Sequence, residues 1–533
     1  MLLLIPVLVL FLSAAAVLAL QRFRPGLGNA WAVSTGAAFL VWLFFLAVPL
    51  KLFSPLVFNS WVAVSGQAGR IDFMLDSISW VYEFCLATVL LAVLITASAR
   101  LRYQNRPAVW AGSLGITAIG LLVVSANTLL TLVLAWTAID ILELVIVLAI
   151  SQNKKAADNA LLSFFFRIAS SFIVIWAMIV SYSHGTELTL TNSTPDVSIY
   201  LLVAAVLRLG VLPLRASEIA ETPLSRGLGT ILQMVSPASS FVLLTHLPAN
   251  IISNSFTLFL LAIVAVVGIY GATRWAYSHD EIKGQPYILV TMAAIAITCV
   301  IRQHPEAVAA WGEIYLLAVS VLFLYSERSR GVMWVALLGL FGASALPISP
   351  SNFGWIGLFP HGFDFLGIVY IIILAMALFG YFRHLLRPEG DYSGLDRWIQ
   401  RTYPVGLLLL TAAQGIIFYR TFPASFKLQY WWAGTTAFVL ALTGMLVWNR
   451  IQQRTEVSAR QNLFSLITSR LSGWLNSLLS LDWLYRILEG IYNVASSIVQ
   501  VLTVTLEGEG GVLWALVLLA LLISIIKTGV VAK

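Results

Sequence analysis

Stretches of about twenty apolar residues, most of them closed by a short charged loop, recur along almost the whole chain. That is the length a helix needs to cross the hydrocarbon core of a bilayer at about 1.5 Å per residue. Inside lipid a backbone must satisfy its own polar groups, so each stretch is expected as an α-helix. Sixteen are legible: 2–20, 29–50, 76–98, 107–125, 126–151, 160–182, 197–214, 227–247, 254–276, 284–301, 308–325, 331–346, 364–382, 403–420, 429–449 and 511–528. Composition agrees. Of 533 residues 60% are hydrophobic and only 10% charged, against about 25% charged in a soluble domain. An all-α polytopic membrane protein is therefore expected, with the lipid bilayer as its solvent. Soluble enzymes, nucleic-acid-binding domains and disordered chains are excluded. The first twenty residues lack a basic leader and a small-residue cleavage site, so they read as a first span, not a removable signal. Cys85 and Cys299 are far apart within apolar runs, and the six histidines form no HxxxH or HExxH pattern. No metal, cofactor or redox site is expected from them.

Charge placement sets the sidedness. With the N-terminus outside, 22 of the 31 Lys and Arg fall in the odd-numbered loops and five in the even ones. Cytoplasmic loops carry such an excess, so both termini are expected outside. The net charge of +7 then belongs to one face of a membrane protein, not to a nucleic-acid partner. Residues 451–509 would lie in the cytoplasm. Leu463, Leu466, Ile467, Leu471, Trp474, Leu475 and later Trp483, Leu484, Ile487 and Leu488 fall near helical spacing. This stretch is expected either as an interfacial helix on lipid or as a lateral strut along the cytoplasmic ends of neighbouring helices or subunits.

Ionisable groups inside a span need a partner or a role. Span 5 carries Asp140 and Glu143, whose i, i+3 spacing puts them on one helix face. By helical rise they lie about 16 and 12 Å from the cytoplasmic end, and Arg167 of span 6 lies about 10 to 14 Å from the same end. An ion pair between Arg167 and this acidic pair is expected, either fixing helix packing or serving as a proton-relay station. Arg208 stands five residues before Pro213, which removes a backbone donor and is expected to break span 7. Arginine keeps its proton at any physiological pH, so Arg208 reads as an electrostatic fixture. Lys283 is a loop lysine or a buried charge at the start of span 10. Glu313 is an interfacial acid or a member of the polar axis. Asp76 and Glu83 lie one heptad apart on span 3 and face similarly, and Asp76 could cap the helix start.

Several segments in order resemble the antiporter-like membrane subunits of respiratory complex I and of multi-subunit cation/proton antiporters. IDFMLDSISW at 71–80 resembles that family's lead into span 3, and SANTLLTLVLAW at 125–136 its lead into span 5. NALLSFFFRIASSF at 159–172 is similar to the span 6 segment. RLGVLPLRASEIAETPLS at 208–225 resembles the run Lys-x-x-x-Leu-Pro-Leu followed by Thr-Pro-x-Ser. GATRWAYSHDEIKGQPY at 271–287 and ALPISPSNFGW at 345–355 resemble the span 9–10 junction and the broken span 12. With the amphipathic stretch at 451–509, the likeness is to the distal subunit that carries a long lateral helix.

The resemblance implies two inverted five-helix repeats containing broken helices, with helix breaks at Pro213, Pro347 and Pro350. It organises the chain as 1–106 (helices 1–3), 107–247 (first repeat), 254–382 (second repeat), 403–449 (helices 14 and 15), 450–509 (lateral helix) and 511–533 (last helix). It implies other membrane subunits as partners, quinone-linked electron-transfer partners among them, and the inner membrane of a bacterium as the site. The family's polar axis is altered here. Its span 5 glutamate falls on Thr137, with Asp140 or Glu143 as substitutes one or two turns on. Its span 7 lysine falls on Arg208, its span 6 aspartate on Ser170, and a later lysine on Glu313. Lys283 is kept, and His361 is the nearest titratable group to the broken span 12. The implied function is a membrane-arm subunit of a complex-I-like assembly that contributes to or scaffolds proton translocation, with no redox or hydrolytic site of its own. The alternatives are a subunit of a cation/proton antiporter or inorganic-carbon uptake complex, or a non-transporting structural subunit.

Overall fold

Fifteen apolar helical segments stand where the first fifteen spans are expected. The computed structural model describes residues 3–23, 27–48, 56–58, 71–100, 107–150, 154–183, 190, 194–211, 225–249, 254–347, 349–360, 362, 364–387, 396–421, 430–454, 516–517, 519–521 and 523. Among them, thirteen helices are long and apolar enough to cross a membrane, and Val197–Arg208 and Arg330–Ala343 are shorter apolar helices. Two compact units divide the chain, Met1–Thr468 and Ser469–Lys533. Most of the stretch 451–509 and of the sixteenth span lies outside the described residues, as do Pro213 and His361.

The helices are α1 (Leu4–Phe23), α2 (Leu27–Ala47), α3 (Ser77–Thr96), α4 (Pro107–Val124), α5 (Leu129–Ile150), α6 (Lys154–Ser183), α7 (Pro195–Arg208) and α8 (Thr230–His246). They continue as α9 (Asn254–Tyr277), α10 (Glu281–Ile301), α11 (Val308–Glu313), α12 (Val319–Leu324), α13 (Arg330–Ala343), α14 (Trp355–Leu358), α15 (Phe365–Leu385), α16 (Arg397–Thr421) and α17 (Trp431–Arg454). Helices α3, α8, α10 and the α11–α12 rod are buried along nearly their whole length and form the centre. The outer helices α1, α5, α6, α9 and α17 show apolar side chains such as Leu12, Phe165, Trp176, Leu258 and Leu446 on their exposed faces. That inverts the pattern of a soluble bundle, because the surrounding solvent is apolar. Packing then depends on close backbone approach. Gly312 of α11 lies against the Tyr82 ring of α3, where any larger side chain would collide.

A short hairpin, not expected from the sequence, precedes α3. Strand β1 (Leu56–Phe58) pairs antiparallel with β2 (Ile71–Phe73), matching Val57 with Asp72. It lies against the α4–α5 turn, where the Met74 amide donates to the Ser125 carbonyl at 2.8 Å and the Asn127 amide to that of Asp72 at 2.9 Å.

Three spans are interrupted. Helix α7 stops at Arg208, because Gly210 adopts φ 68° and closes a left-handed cap. Pro213, where a break is expected, lies outside the described residues, and α7 already ends before it. Span 12 ends at Ala343, Ala345 turns to φ 51°, and a 3₁₀ turn at Pro350–Gly354 leads into α14. Pro347 lies in the break, and Pro350 opens the 3₁₀ turn, where its missing donor is not needed. Ser351 holds the break together: its hydroxyl donates to the Gly342 carbonyl at 2.6 Å and accepts the Ala345 amide at 2.9 Å. Finally, α11 and α12 are joined by a π-helical turn, Ile314–Ala318, directly after Glu313.

Candidate functional site: buried ion pairs between α5, α6 and α7

Helix α5 places Trp136, Asp140 and Glu143 on neighbouring turns. Asp140 receives both arms of Arg208 from α7, Nη1 to Oδ2 at 2.9 Å and Nη2 to Oδ1 at 2.6 Å. Both side chains are wholly buried. The guanidinium carbon also stands 4.4 Å from the centre of the Trp136 ring, and the Trp136 indole donates to Ser239 of α8 at 2.8 Å. Three helices are therefore tied at one point. A two-armed arginine–carboxylate pair is the geometry that best offsets the loss of water around two charges. The Arg208 Nε remains without a partner.

Glu143, one turn further on, forms an ion pair with Arg167 of α6. Here the side chains are 19% and 13% exposed, on a flank otherwise lined by Ile141, Val145 and Phe165. The acidic couple is thus divided: Arg167 takes Glu143 and Arg208 takes Asp140. Ser170, at the position of the resembled aspartate, turns back to the Arg167 carbonyl at 2.6 Å and adds no charge. Sequence reasoning did not join Arg208 to Asp140. By helical rise Arg208 lies about 9 Å from the expected cytoplasmic end of span 7 and Asp140 about 16 Å from that of span 5, so depth alone did not pair them.

Glu313 is fully buried in the centre of the bundle, not at an interface, and among the described residues neither of its carboxyl oxygens has a hydrogen-bond partner. The π-turn that follows it brings the Tyr315 hydroxyl to the Gln233 carbonyl at 3.3 Å. Such turns open a helix locally and concentrate at functional positions. Lys283 is exposed on the first turn of α10. Its neighbour Glu281 carries the interaction there, paired with Arg226 and, at 3.4 Å, with Arg328. Arg226 also donates to the Phe323 and Tyr325 carbonyls at 3.1 and 3.3 Å, closing the end of α12. His384 was not singled out by sequence. It is buried, lies against Trp275 with ring centres 4.3 Å apart and the planes tilted by 43°, and meets Ser278 at 2.9 Å. Nothing in its Arg-His context signalled this. At the far end of the bundle, Asp76 caps α3 through the Ser79 amide at 2.7 Å and meets His246 Nε2 at 2.9 Å. Burial works against ionisation of Asp76, but the bond and charge of His246 and the Ser79 bond together hold its carboxyl below the ordinary value. Among the described residues no group of three His, Cys, Asp or Glu is placed to hold a metal ion.

No protein-family model and no curated protein matches the chain. Solved structures do. A chain of the Mrp complex from Dietzia sp. superposes over 100% of this chain and 63% of its own length, at 15% identity and TM-score 0.69. The chain therefore spans less than two thirds of that larger relative. A chain of the membrane-bound sulfane sulfur reductase, an archaeal respiratory membrane complex, matches at TM-score 0.66 and 13% identity over 98% of this chain and 100% of that one. A chain of respiratory complex I from Thermus thermophilus matches at TM-score 0.57 and 14% identity over 76% and 96%. At such identities the shared property is the backbone path: this chain is an all-α polytopic membrane protein with the backbone fold of the matched chains of those membrane complexes.

Proposed function

We propose that the chain is an antiporter-like membrane-arm subunit of a complex-I-like, quinone-linked assembly, and that it takes part in proton translocation. The observation that carries this is the two-armed Asp140–Arg208 pair, buried where α7 ends inside the bundle. A half-helix end beside a charge is a recurring way to build an ion site at membrane depth. Arginine holds its proton, so the exchangeable protons belong to the carboxyls. Protonation of Asp140 would release the charge of Arg208, and Glu143 with Arg167 forms the neighbouring pair through which that change is passed on. In this reading the spans form two inverted repeats, 107–247 and 254–382. Both termini face outward from a bacterial inner membrane, and residues 450–509 run along the cytoplasmic side against sister subunits.

The test is proton flux in proteoliposomes holding the whole complex. Asp140→Asn and Glu143→Gln are each expected to reduce flux roughly ten-fold or more, the lower range for losing a proton-transfer group. Flux equal to wild type in both variants would overturn the transport role. A second reading, a non-transporting scaffold, is favoured by Thr137, Ser170 and Arg208 standing where the resembled family has glutamate, aspartate and lysine. Partner subunits separate the remaining alternatives. Quinone-reductase partners favour the respiratory assembly, antiporter subunits a cation/proton exchanger, and a soluble zinc protein inorganic-carbon uptake.

A further inference from the structure

The end of the bundle where α3 begins holds a second set of titratable groups. Asp76, with 25% of its side chain exposed, meets His246 from the last turn of α8. His246 Nδ1 lies 2.8 Å from the Val242 carbonyl while Nε2 lies 2.9 Å from Asp76 Oδ2. Both ring nitrogens thus face acceptors. Only a doubly protonated ring beside an ionised Asp76, or a neutral ring beside a protonated Asp76, satisfies both contacts. The His–Asp couple therefore holds a shared proton within reach of solvent. Two turns deeper, about 10 Å by helical rise, Glu83 lies on the same face of α3. It is fully buried, and among the described residues neither Oε1 nor Oε2 has a hydrogen-bond partner. An ionised carboxylate left so is costly by several kcal/mol, so the group must hold a proton or receive one when it changes state.

The surroundings suit that exchange. Asp76 begins the same helix two turns away, and the Ser125 hydroxyl in the α4–α5 turn donates to the Leu121 carbonyl at 2.9 Å. The other elements packed on α3 aim their charges elsewhere. Arg420 at the end of α16 sits over Trp80 and donates to the Leu46 carbonyl at 3.0 Å. Glu313 of α11 is itself fully buried, and among the described residues its carboxyl has no hydrogen-bond partner. Asp72, in the hairpin above, binds Asn127 through Oδ2 at 2.9 Å and leaves Oδ1 buried and unpaired.

We propose that Glu83 is a proton-binding station fed from the hairpin end of the bundle through Asp76 and His246, separate from the Asp140–Arg208 pair. The transfer is a proton exchange alone. The N–H or O–H bond of the His246–Asp76 couple breaks, water carries the proton, and an O–H bond forms on Glu83. Its use in transport rests on the function proposed above, but its existence does not.

The test uses the intact complex and dicyclohexylcarbodiimide, which attacks protonated carboxyls in apolar surroundings, read by mass spectrometry of the Glu83 peptide. Labelling of Glu83 is expected to fall as pH rises within about pH 4 to 9, the range of carboxyl and imidazole titration. Asp76→Asn and His246→Gln should move the midpoint by about one pH unit or more, a ten-fold change in proton affinity. Asp140→Asn should leave it in place. Asparagine still caps helices, so the Asp76 variant is expected to fold. No label at Glu83, a label independent of pH, or a midpoint unmoved in both variants would overturn the station. If Glu83 behaves as expected while Asp140→Asn and Glu143→Gln both leave flux unchanged, the transport reading fails and the station stands.

Discussion

At the scale of single residues, the chain separates charges that a sequence shows together. Asp140 and Glu143 are one turn apart yet serve different arginines, Arg208 and Arg167. Removing one partner of a buried pair leaves an uncompensated charge, at about 3–5 kcal/mol. Asp140→Asn is therefore expected to lower the thermal unfolding temperature in detergent markedly. Replacing both partners, Asp140→Leu with Arg208→Met, should be less destabilising than Asp140→Asn alone. A double variant as unstable as the single one would mean that the pair is not the source of the effect. Asp76 gives a pH-linked counterpart. Its folded-state value lies below the ordinary 3.8, so its contribution is complete above that value and fades as pH falls through the folded one. Acidification below about pH 4 should cost wild type stability that Asp76→Asn does not lose. Parallel acid profiles of the two proteins would count against this. The charged residues were legible because each interrupts an apolar run. Their pairing was not, because it depends on which helix faces which.

At the scale of elements, the same cap ends two helices with opposite residues. Helix α7 closes with the Gly210 amide bonded to the Leu207 carbonyl at 3.2 Å and that of Val211 to Val206 at 3.2 Å. Helix α10 closes likewise, Gln303 to Val300 at 3.0 Å and His304 to Cys299 at 2.9 Å. Position 210 has φ 68° and position 303 has φ 69°. Glycine takes that conformation freely, and a side chain is strained in it by about 1 kcal/mol. Gly210→Ala should thus destabilise and Gln303→Gly stabilise, each by about 1 kcal/mol or less. Calorimetry of the two variants checks the signs, and equal signs would contradict the cap geometry. The spans were legible as elements because their length is set by the bilayer. Their breaks were not. Helix α7 ends at a glycine in the left-handed conformation, Gly210, which no apolar pattern marks. At 345 an alanine turns the chain because Ser351 supplies the bonds that a helix would otherwise make.

At the scale of the whole molecule, α3, α8, α10 and α11–α12 form a buried centre, and the outer helices present apolar faces. The partly exposed Glu143–Arg167 pair lies within one of those faces, and a charge pair facing lipid is unfavourable. A neighbouring membrane subunit over α5 and α6 would remove that penalty. Extraction in mild detergent is accordingly expected to give a particle larger than one chain with its detergent belt, and cross-links from Cys introduced at Phe165 should reach another subunit. A monodisperse single-chain particle without such cross-links would refute this.

The sequence by itself determined that the chain lives in a bilayer, where its helices fall, and which charges lie within them. Those properties follow from local physics: the thickness of the hydrocarbon layer and the expense of a charge in it. The tertiary structure alone decided that Arg208 locks onto Asp140, that among the described residues Glu83 and Glu313 have no hydrogen-bond partner, and that Lys283 faces outward while Glu281 gathers two arginines. Each of those outcomes depends on the rotation of one helix against another. Apolar periodicity fixes that rotation weakly when the surroundings are as apolar as the core.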